Sequence, residues 1–340
     1  MATTTDQTGE QTAATAGARE RRQIGVGWVV RRFGTLIVLL LLIAYFTVRS
    51  PLFLTGTNLS LLINNMTEQA LVAMGLTFVV VVGSFDLSVG AVTAATGIFV
   101  ASLMQHMPAL PACVLALLIA AAIGVINGLL VTYGRLSGIV ATLAMSFVVI
   151  GVELSISNGY EVSIPPGNSA FAALGNGTLG RIPMPTVALV VIFLLCYFML
   201  NRHRWGRYMQ ATGDNSLAAY FSGIPIYRYV ILAFVFSAVV SACAGLIVVA
   251  RATSAQPTQG AEYLIGSFAA IYLGSTILSE GRPHMLGTLL GTFFLAVISS
   301  GITFVGFSYQ QNQLFEGIVL ALSVLISAYF RRGEIHTRFI

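Results

Sequence analysis

The chain has 340 residues, of which 56% are hydrophobic and only 9% charged, with a formal net charge of +5 and a mean hydropathy of +0.87. So much apolar surface cannot be hidden inside a soluble globule of this length, which excludes an ordinary cytosolic domain and places the chain in lipid. All 17 basic residues are arginine, so there is no lysine for a Walker A loop or a Schiff base, and nucleotide hydrolysis by the common P-loop design is excluded on this chain.

The first stretch, rich in Thr, Ala, Gln and Gly, lacks the apolar pattern that would repay ordering. Residues 1–32 therefore read as a disordered, basic cytoplasmic tail. The apolar run behind it has no small-residue cleavage site, so it is expected to stay as a membrane span. From there the chain reads as an all-α polytopic membrane protein with about ten transmembrane helices in one membrane domain, 33–330. The predicted spans are 33–48, 66–83, 87–105, 112–132, 137–157, 186–200, 230–250, 263–278, 286–305 and 314–330. About 20 residues at about 1.5 Å each cross a hydrocarbon core of about 30 Å. Residues 331–340 form a second cytoplasmic tail.

Cationic residues near span ends are retained in the cytoplasm. With alternating spans and both termini cytoplasmic, Arg19, Arg21, Arg22, Arg31, Arg32, Arg135, Arg202, Arg204, Arg207, Arg228, Arg282, Arg331, Arg332 and Arg338 fall inside. Only Arg49, Arg181 and Arg251 fall outside. This topology accounts for the positive charge without a nucleic-acid partner. Cys113, Cys196 and Cys243 lie in apolar runs, and His106, His203, His284 and His336 are scattered, so neither a metal site nor a disulfide framework is read. The outer loop 158–185, with Gly, Pro and Asn throughout, reads either as a contact for a partner outside the membrane or as a passive connector.

The one long polar interruption is 201–228. Within it, Asp214 or Asn215 is placed to cap a short helix that Gly223 ends in the left-handed conformation. Leu217 and Phe221 form an i,i+4 apolar pair, while Ala218, Ala219 and Ser222 are small enough for another backbone to come close. The segment reads as a docking surface for a protein or as an interfacial helix resting on lipid head groups.

A carboxylate in mid-bilayer costs about 2.5–3.5 kcal/mol, so Glu68, Asp86, Glu153 and Glu262 need water, a partner or a place near an interface. All four fall near predicted span ends. Asp86 reads as an N-cap for the helix from Leu87 onward, bonding the amide of Ser88 or Val89, with substrate contact as the other reading. Glu68, Glu153 and Glu262 fall toward the outer face, ringing an entrance or touching water. Asn127 and Thr142 are neutral positions for hydrogen bonds to a solute, so the pathway set is Glu68, Asp86, Ser88, Asn127, Thr142 and Glu153. Gly83 to Gly90 and Gly274 to Gly281 share Gly, Ser, Leu, Ser and Gly at matching places, either an internal repeat or coincidence in a Gly-rich chain.

Gly83-Ser84-Phe85-Asp86-Leu87-Ser88-Val89-Gly90 resembles the GGIDLSVG signature of ABC-importer permeases of the ribose and simple-sugar family, and Met74-Gly75-Leu76-Thr77-Phe78-Val79 resembles the run before it. Gly213 through Ile224 resembles that family's cytoplasmic coupling loop, G-x-N-x-x-A-A-x-x-S-G-I. Ile126-Asn127-Gly128-Leu129-Leu130-Val131, Ser254-Ala255-Gln256-Pro257 and Gly274-Ser275-Thr276-Ile277-Leu278-Ser279-Glu280-Gly281 fall in the expected order, so the likeness covers most of 55–330. Departures are Ser84 and Phe85 for Gly and Ile, Ile150 for a frequent Arg, and Glu280 and Pro283 for glycines.

The resemblance implies a bacterial inner-membrane subunit with no catalysis and no cofactor of its own. ATP and magnesium would sit on partner ATPase subunits that grip Gly213, Asp214, Asn215, Leu217, Ala218, Ala219, Phe221, Ser222, Gly223 and Ile224. A second permease subunit, either a copy or a relative, would complete the pathway. A periplasmic or lipoprotein binding protein would deliver a monosaccharide or related sugar. The rival class is an ion-coupled secondary transporter with Asp86 or Glu153 as the titrating carrier.

Overall fold

The computed structural model describes residues 26–278 and 282–306, with isolated helical positions between 311 and 321. Most of the predicted tenth span, the C-terminal tail and Ser279, Glu280 and Gly281 lie outside the described residues.

The first helix, α1, runs Val26–Arg49, so it takes in Arg31 and Arg32, which sequence reading had left in the tail. It is followed by α2 (Gly56–Asn65), α3 (Thr67–Val81), α4 (Val89–Leu103), α5 (Ala109–Thr132) and α6 (Gly138–Ser157). The outer loop contains a short strand β1 (Val162–Ser163), helix α7 (Ser169–Asn176) and a two-strand hairpin, β2 (Thr178–Leu179) with β3 (Ile182–Pro183). Then come α8 (Met184–Tyr197), a π-helical turn (Phe198–Arg202), α9 (Arg204–Asp214), α10 (Ser216–Phe221) and α11 (Ile226–Ala252). Strand β4 (Ser254–Ala255) pairs antiparallel with β1, and α12 (Ala261–Leu278) and α13 (Met285–Phe304) close the described fold.

Five described helices are long and apolar enough to cross a membrane: α5, α6, α8 with its π turn, α11 and α13. Helices α3 and α4 are apolar but only 15 residues each, about 22 Å at 1.5 Å per residue and short of the hydrocarbon core. They are short because the seven residues between them, 82–88, are a non-helical break inside the bundle. The third predicted span thus begins at Val89, with Ser88 as its cap position, and not at Leu87.

Local signals fix the ends. Thr55 Oγ1 accepts the Asn58 amide at 3.4 Å to start α2, and Ser137 Oγ accepts Val140 N–H at 3.3 Å to start α6. Asn158, at φ 52°, ends α6 in the left-handed conformation that Asn tolerates. Pro185 falls in the first turn of α8, where its missing N–H costs nothing.

Helix α11 is the central rod, with α3, α4 and α5 against its sides; α12 and α13 pair with each other beside α3. Lipid removes the hydrophobic driving force between helices, so close backbone packing must supply it. The glycines show how. A Cβ on Gly75 of α3 would sit 2.8 Å from the Ser237 carbonyl, one on Gly124 of α5 would sit 2.6 Å from the Phe234 carbonyl, and one on Gly128 would sit 2.7 Å from the Ile231 Cα. A side chain at any of these seams would force helices apart, an overpacking cost of about 1–3 kcal/mol. Polar pairs add register: Thr77 with Thr288 at 2.7 Å, and Gln69 Nε2 to Ser267 Oγ at 2.9 Å and to the Tyr263 carbonyl at 3.0 Å.

The residues assigned to opposite faces gather at opposite ends. At one end Gly138 packs on Ser84 and Phe85, Gly213 on Val81, and Arg282 reaches Asp214. At the other, Arg251 meets Glu68 and Asn64, Gln105 Nε2 donates to the Ser163 carbonyl at 2.8 Å, and Asn176 Nδ2 donates to the Arg251 carbonyl at 3.0 Å. The proposed repeat finds no structural counterpart among the described residues. Gly83 to Ser88 is a break, whereas Gly274 to Leu278 is helix.

Candidate functional site

Two polar interruptions carry the site residues, and they are built differently. The first begins where the π turn Phe198–Arg202 releases the end of α8. His203 is extended, its Nδ1 accepts the Trp205 amide at 3.3 Å, and α9 starts. Helix α9 ends at Asp214, and Asn215 is the N-cap of α10, its Oδ1 accepting Ala218 N–H at 3.0 Å. Of the two caps sequence reading allowed, the structure uses Asn215. Gly223 takes φ +77°, a left-handed conformation that glycine adopts without strain, and turns the chain into α11.

The faces of α10 are unequal. Ala219 is 4% exposed, whereas Leu217, Tyr220 and Phe221 are 64%, 66% and 78% exposed. Ala219 is therefore occupied by the chain's own packing. The small-residue approach read from Ala218, Ala219 and Ser222 reduces to Ala218 and Ser222, which are exposed. Tyr220, which sequence reading passed over, joins Leu217 and Phe221 in an apolar tip, its ring 5.7 Å from that of Phe221. Gly213, Asp214 and Asn215 link α9 to this tip. Asp214 pairs with Arg282 at 3.4 Å, both side chains largely exposed, a geometry worth at most about 1 kcal/mol. Ile224 amide donates back to the Ala219 carbonyl at 3.1 Å, closing the segment.

The second interruption is the break 82–88. Asp86 is 1% exposed and sits among donors. Its Oδ1 accepts Ser88 N–H at 2.9 Å and Ser88 Oγ–H at 2.6 Å, and its Oδ2 accepts Ser237 Oγ–H at 2.9 Å. Asn127 Nδ2 donates to Ser88 Oγ at 2.9 Å, and Leu87 N–H donates to Thr142 Oγ1 at 2.9 Å. The carboxylate also stands just ahead of the N-terminus of α4, where the helix dipole favours negative charge. Of the two amides expected to bond Asp86, those of Ser88 and Val89, Ser88 is the one bonded. Asp86, Ser88, Asn127, Thr142 and Ser237 thus form one connected buried group drawn from the break, α5, α6 and α11.

Glu68 and Glu153 are not in that group. Glu68 is buried in the first turn of α3, 3.1 Å from Arg251 Nη2, and Arg251 also donates to Asn64 Oδ1 at 3.1 Å. Glu153 is buried in α6, where its Oε1 accepts Thr258 N–H at 3.0 Å. Neither carboxylate is open to water within this chain. Glu262, in the first turn of α12, is the exposed one. The segment holding Thr258 leaves α11 at Thr253 and returns toward α4, where Gly260 lies against the Gly90 carbonyl. Thr253 and Thr258 both have positive φ, 57° and 63°, a conformation costly for a β-branched residue.

His284 caps α13, its Nδ1 accepting Gly287 N–H at 3.0 Å. That bond requires an unprotonated Nδ1, and burial pushes the imidazole below its ordinary value. Sequence reading missed Ser237, Arg251 and His284, because each acts through a helix distant in sequence or through a cap that histidine rarely supplies. The i,i+4 placing of Ser237 and Ser241 on a Ser- and Ala-rich stretch of α11 is the available signal for the first.

Chemically, the buried group can orient a helix start and join four helices. Among the described residues no three His, Cys, Asp or Glu side chains are grouped as metal ligands.

A family model described as branched-chain amino acid transport system / permease component matches residues 58–326. The ribose import permease protein of Escherichia coli is 35% identical over 309 residues, 90% of this chain and 96% of the relative. The ribose import permease protein of Bacillus subtilis is 33% identical over 90% of this chain and 96% of its own length. The L-arabinose ABC transporter permease protein of Azospirillum brasilense is 30% identical over 94% of this chain and 93% of its own. No solved structure matches the chain. A family match across 58–326 and relatives aligned over nearly their whole length, on a mostly helical chain with five described apolar helices of membrane length, show that it belongs to the branched-chain amino acid transport system / permease component family, as an ABC-importer permease and a multi-pass protein of the bacterial inner membrane.

Proposed function

We propose that this chain is the transmembrane subunit of an ATP-driven importer for a monosaccharide or a closely related polyhydroxylated solute. The observation that carries the coupling half of this reading is the exposed tip of α10. Three large apolar side chains, Leu217, Tyr220 and Phe221, are left uncovered by the chain on a helix of six residues. A helix this short has no stability of its own, and aromatic residues presented on a capped turn are the usual anchors of a protein interface. The tip fits a cleft on a cytoplasmic ATPase, which would bind the ATP and magnesium; this chain then needs no cofactor. The sugar half rests on the relatives named for ribose and L-arabinose import and on a D-allose transport system permease protein, 28% identical over 93% of this chain.

The pathway forms between this subunit and a second permease subunit, and a binding protein outside delivers the solute. The structured outer loop, with α7 and the β2–β3 hairpin, is the surface offered to it. Closure of the ATPases displaces α9 and α10, and the helices respond as packed bodies because the two arrangements bind the nucleotide-loaded partner unequally. An ion-coupled carrier is the weaker reading. Asp86, one of its two candidate carriers with Glu153, already accepts three hydrogen bonds and is 1% exposed.

Uptake of labelled sugar by cells carrying the importer tests the reading. Accumulation should stop when the partner ATPase is deleted, and should persist when an uncoupler dissipates the proton gradient while ATP is maintained. The opposite pair of results overturns it. Solute identity follows from screening sugars for thermal stabilisation of the binding protein.

A further inference from the structure

Resting on the coupling role of 213–224, we infer that the break 82–88 is the joint through which movement of the coupling segment reaches the membrane helices. The break touches every element such a joint would have to connect. At its near end Gly213 lies so close to the Val81 carbonyl that no Cβ fits between them, and Gly83, at φ +81°, faces the Cα of Gly213. Displacement of α9 is therefore delivered to the end of α3 backbone to backbone, with no flexible side chain to absorb it.

From there the break divides the movement among four helices. Asp86 Oδ2 is held by Ser237 of α11 at 2.9 Å, Ser88 Oγ by Asn127 of α5 at 2.9 Å, and Leu87 N–H by Thr142 of α6 at 2.9 Å. Gly138 of α6 lies against the Ser84 hydroxyl and the Phe85 backbone, with no room for a Cβ. The Phe85 ring meets Phe268 of α12 at a centroid distance of 6.0 Å. A seven-residue link with its own carboxylate fully bonded is stiff, and a stiff link between a docking segment and four spans passes on a push. Asp86 and Ser237 act here as positioning residues for the stroke, with no contact to solute required of them.

The test uses the full importer, reconstituted with its ATPase in proteoliposomes, and reads ATP hydrolysis and sugar uptake side by side. Ser237→Ala removes one donor from Asp86 far from the ATPase docking tip. Gly138→Ala pushes a methyl group into the opposite flank of the break. Each should leave ATPase recovery and hydrolysis within about twofold of wild type and lower sugar carried per ATP at least tenfold. Hydrolysis and uptake falling together, or neither falling, overturns the joint, because a merely structural contact would move both or none. If one variant fails to assemble, the other gives the same readout. Failure of the wild-type chain to recover an ATPase at all overturns the coupling reading itself, and the joint with it.

Discussion

The break 82–88 and the coupling segment 198–225 are both polar interruptions of an apolar chain, and they are held in opposite ways. In the break, a carboxylate 1% exposed is fixed by Ser88 beside it and by Ser237 of α11, and Asn127 and Thr142 tie the same loop to α5 and α6. In the coupling segment, each helix start is fixed by its neighbour in sequence, His203 for α9 and Asn215 for α10, and the large apolar residues of α10 face out. Long-range bonds make the first a part of the bundle's stability. Local caps let the second keep its shape while its tip stays free for a partner.

Substitutions can break or sharpen this contrast. The largest loss of stability is expected from Asp86→Ala, which leaves the Ser88 amide and the Ser88 and Ser237 hydroxyls without their acceptor inside the bundle. Orphaned buried donors cost about 1–3 kcal/mol each, so thermal unfolding of the detergent-purified protein should show a loss of about 3 kcal/mol or more. Asn215→Ala comes next. It removes one cap from α10, costs about 1 kcal/mol locally, and should raise hydrogen exchange at 216–223 while leaving exchange in α11 unchanged.

Smaller still is the pH response of His284. Its value in the folded protein lies below the ordinary 6.5, so the unfolded chain binds more protons in the interval between the two. Its cap is fully stabilising above that ordinary value and is lost as pH falls through the depressed one. Melting temperature should drop from pH 7 to pH 5 by more in wild type than in His284→Asn, a difference worth about 1 kcal/mol or less. The smallest stability effect belongs to Phe221→Ala, within about 0.5 kcal/mol because the ring is 78% exposed. Yet the same change should lower ATPase co-purification at least tenfold. A stability loss at Phe221 comparable to that at Asp86 would erase the distinction between the two regions.

Much of this architecture was legible from residue order alone, because a span is declared by its own length and apolarity. The predicted spans at 112–132, 137–157 and 286–305 lie within a few residues of α5, α6 and α13. The short α10 was legible for the same reason: Asn215 and Gly223 are local signals. Burial direction was not. Nothing in Leu217 to Phe221 announces that Ala219 turns inward, since that depends on where α11 and α9 leave the short helix. Asp86 was legible as a residue bonded to Ser88, two positions away, but its partner Ser237 is 151 residues off, beyond any periodicity. The outer loop concealed α7 because Gly and Asn surround it, and the helix is steadied by packing of Gly175 on the backbone of Arg251.

The glycine seams along α11 carry a consequence for anyone hoping to re-engineer what this protein accepts. Where Gly75, Gly124 and Gly128 admit main-chain atoms, there is no adjustable upholstery to trim or refill. Randomising these positions would mostly yield chains lost to degradation, whatever new solute they were meant to admit. Useful variation must be sought on surfaces that this rod does not grip.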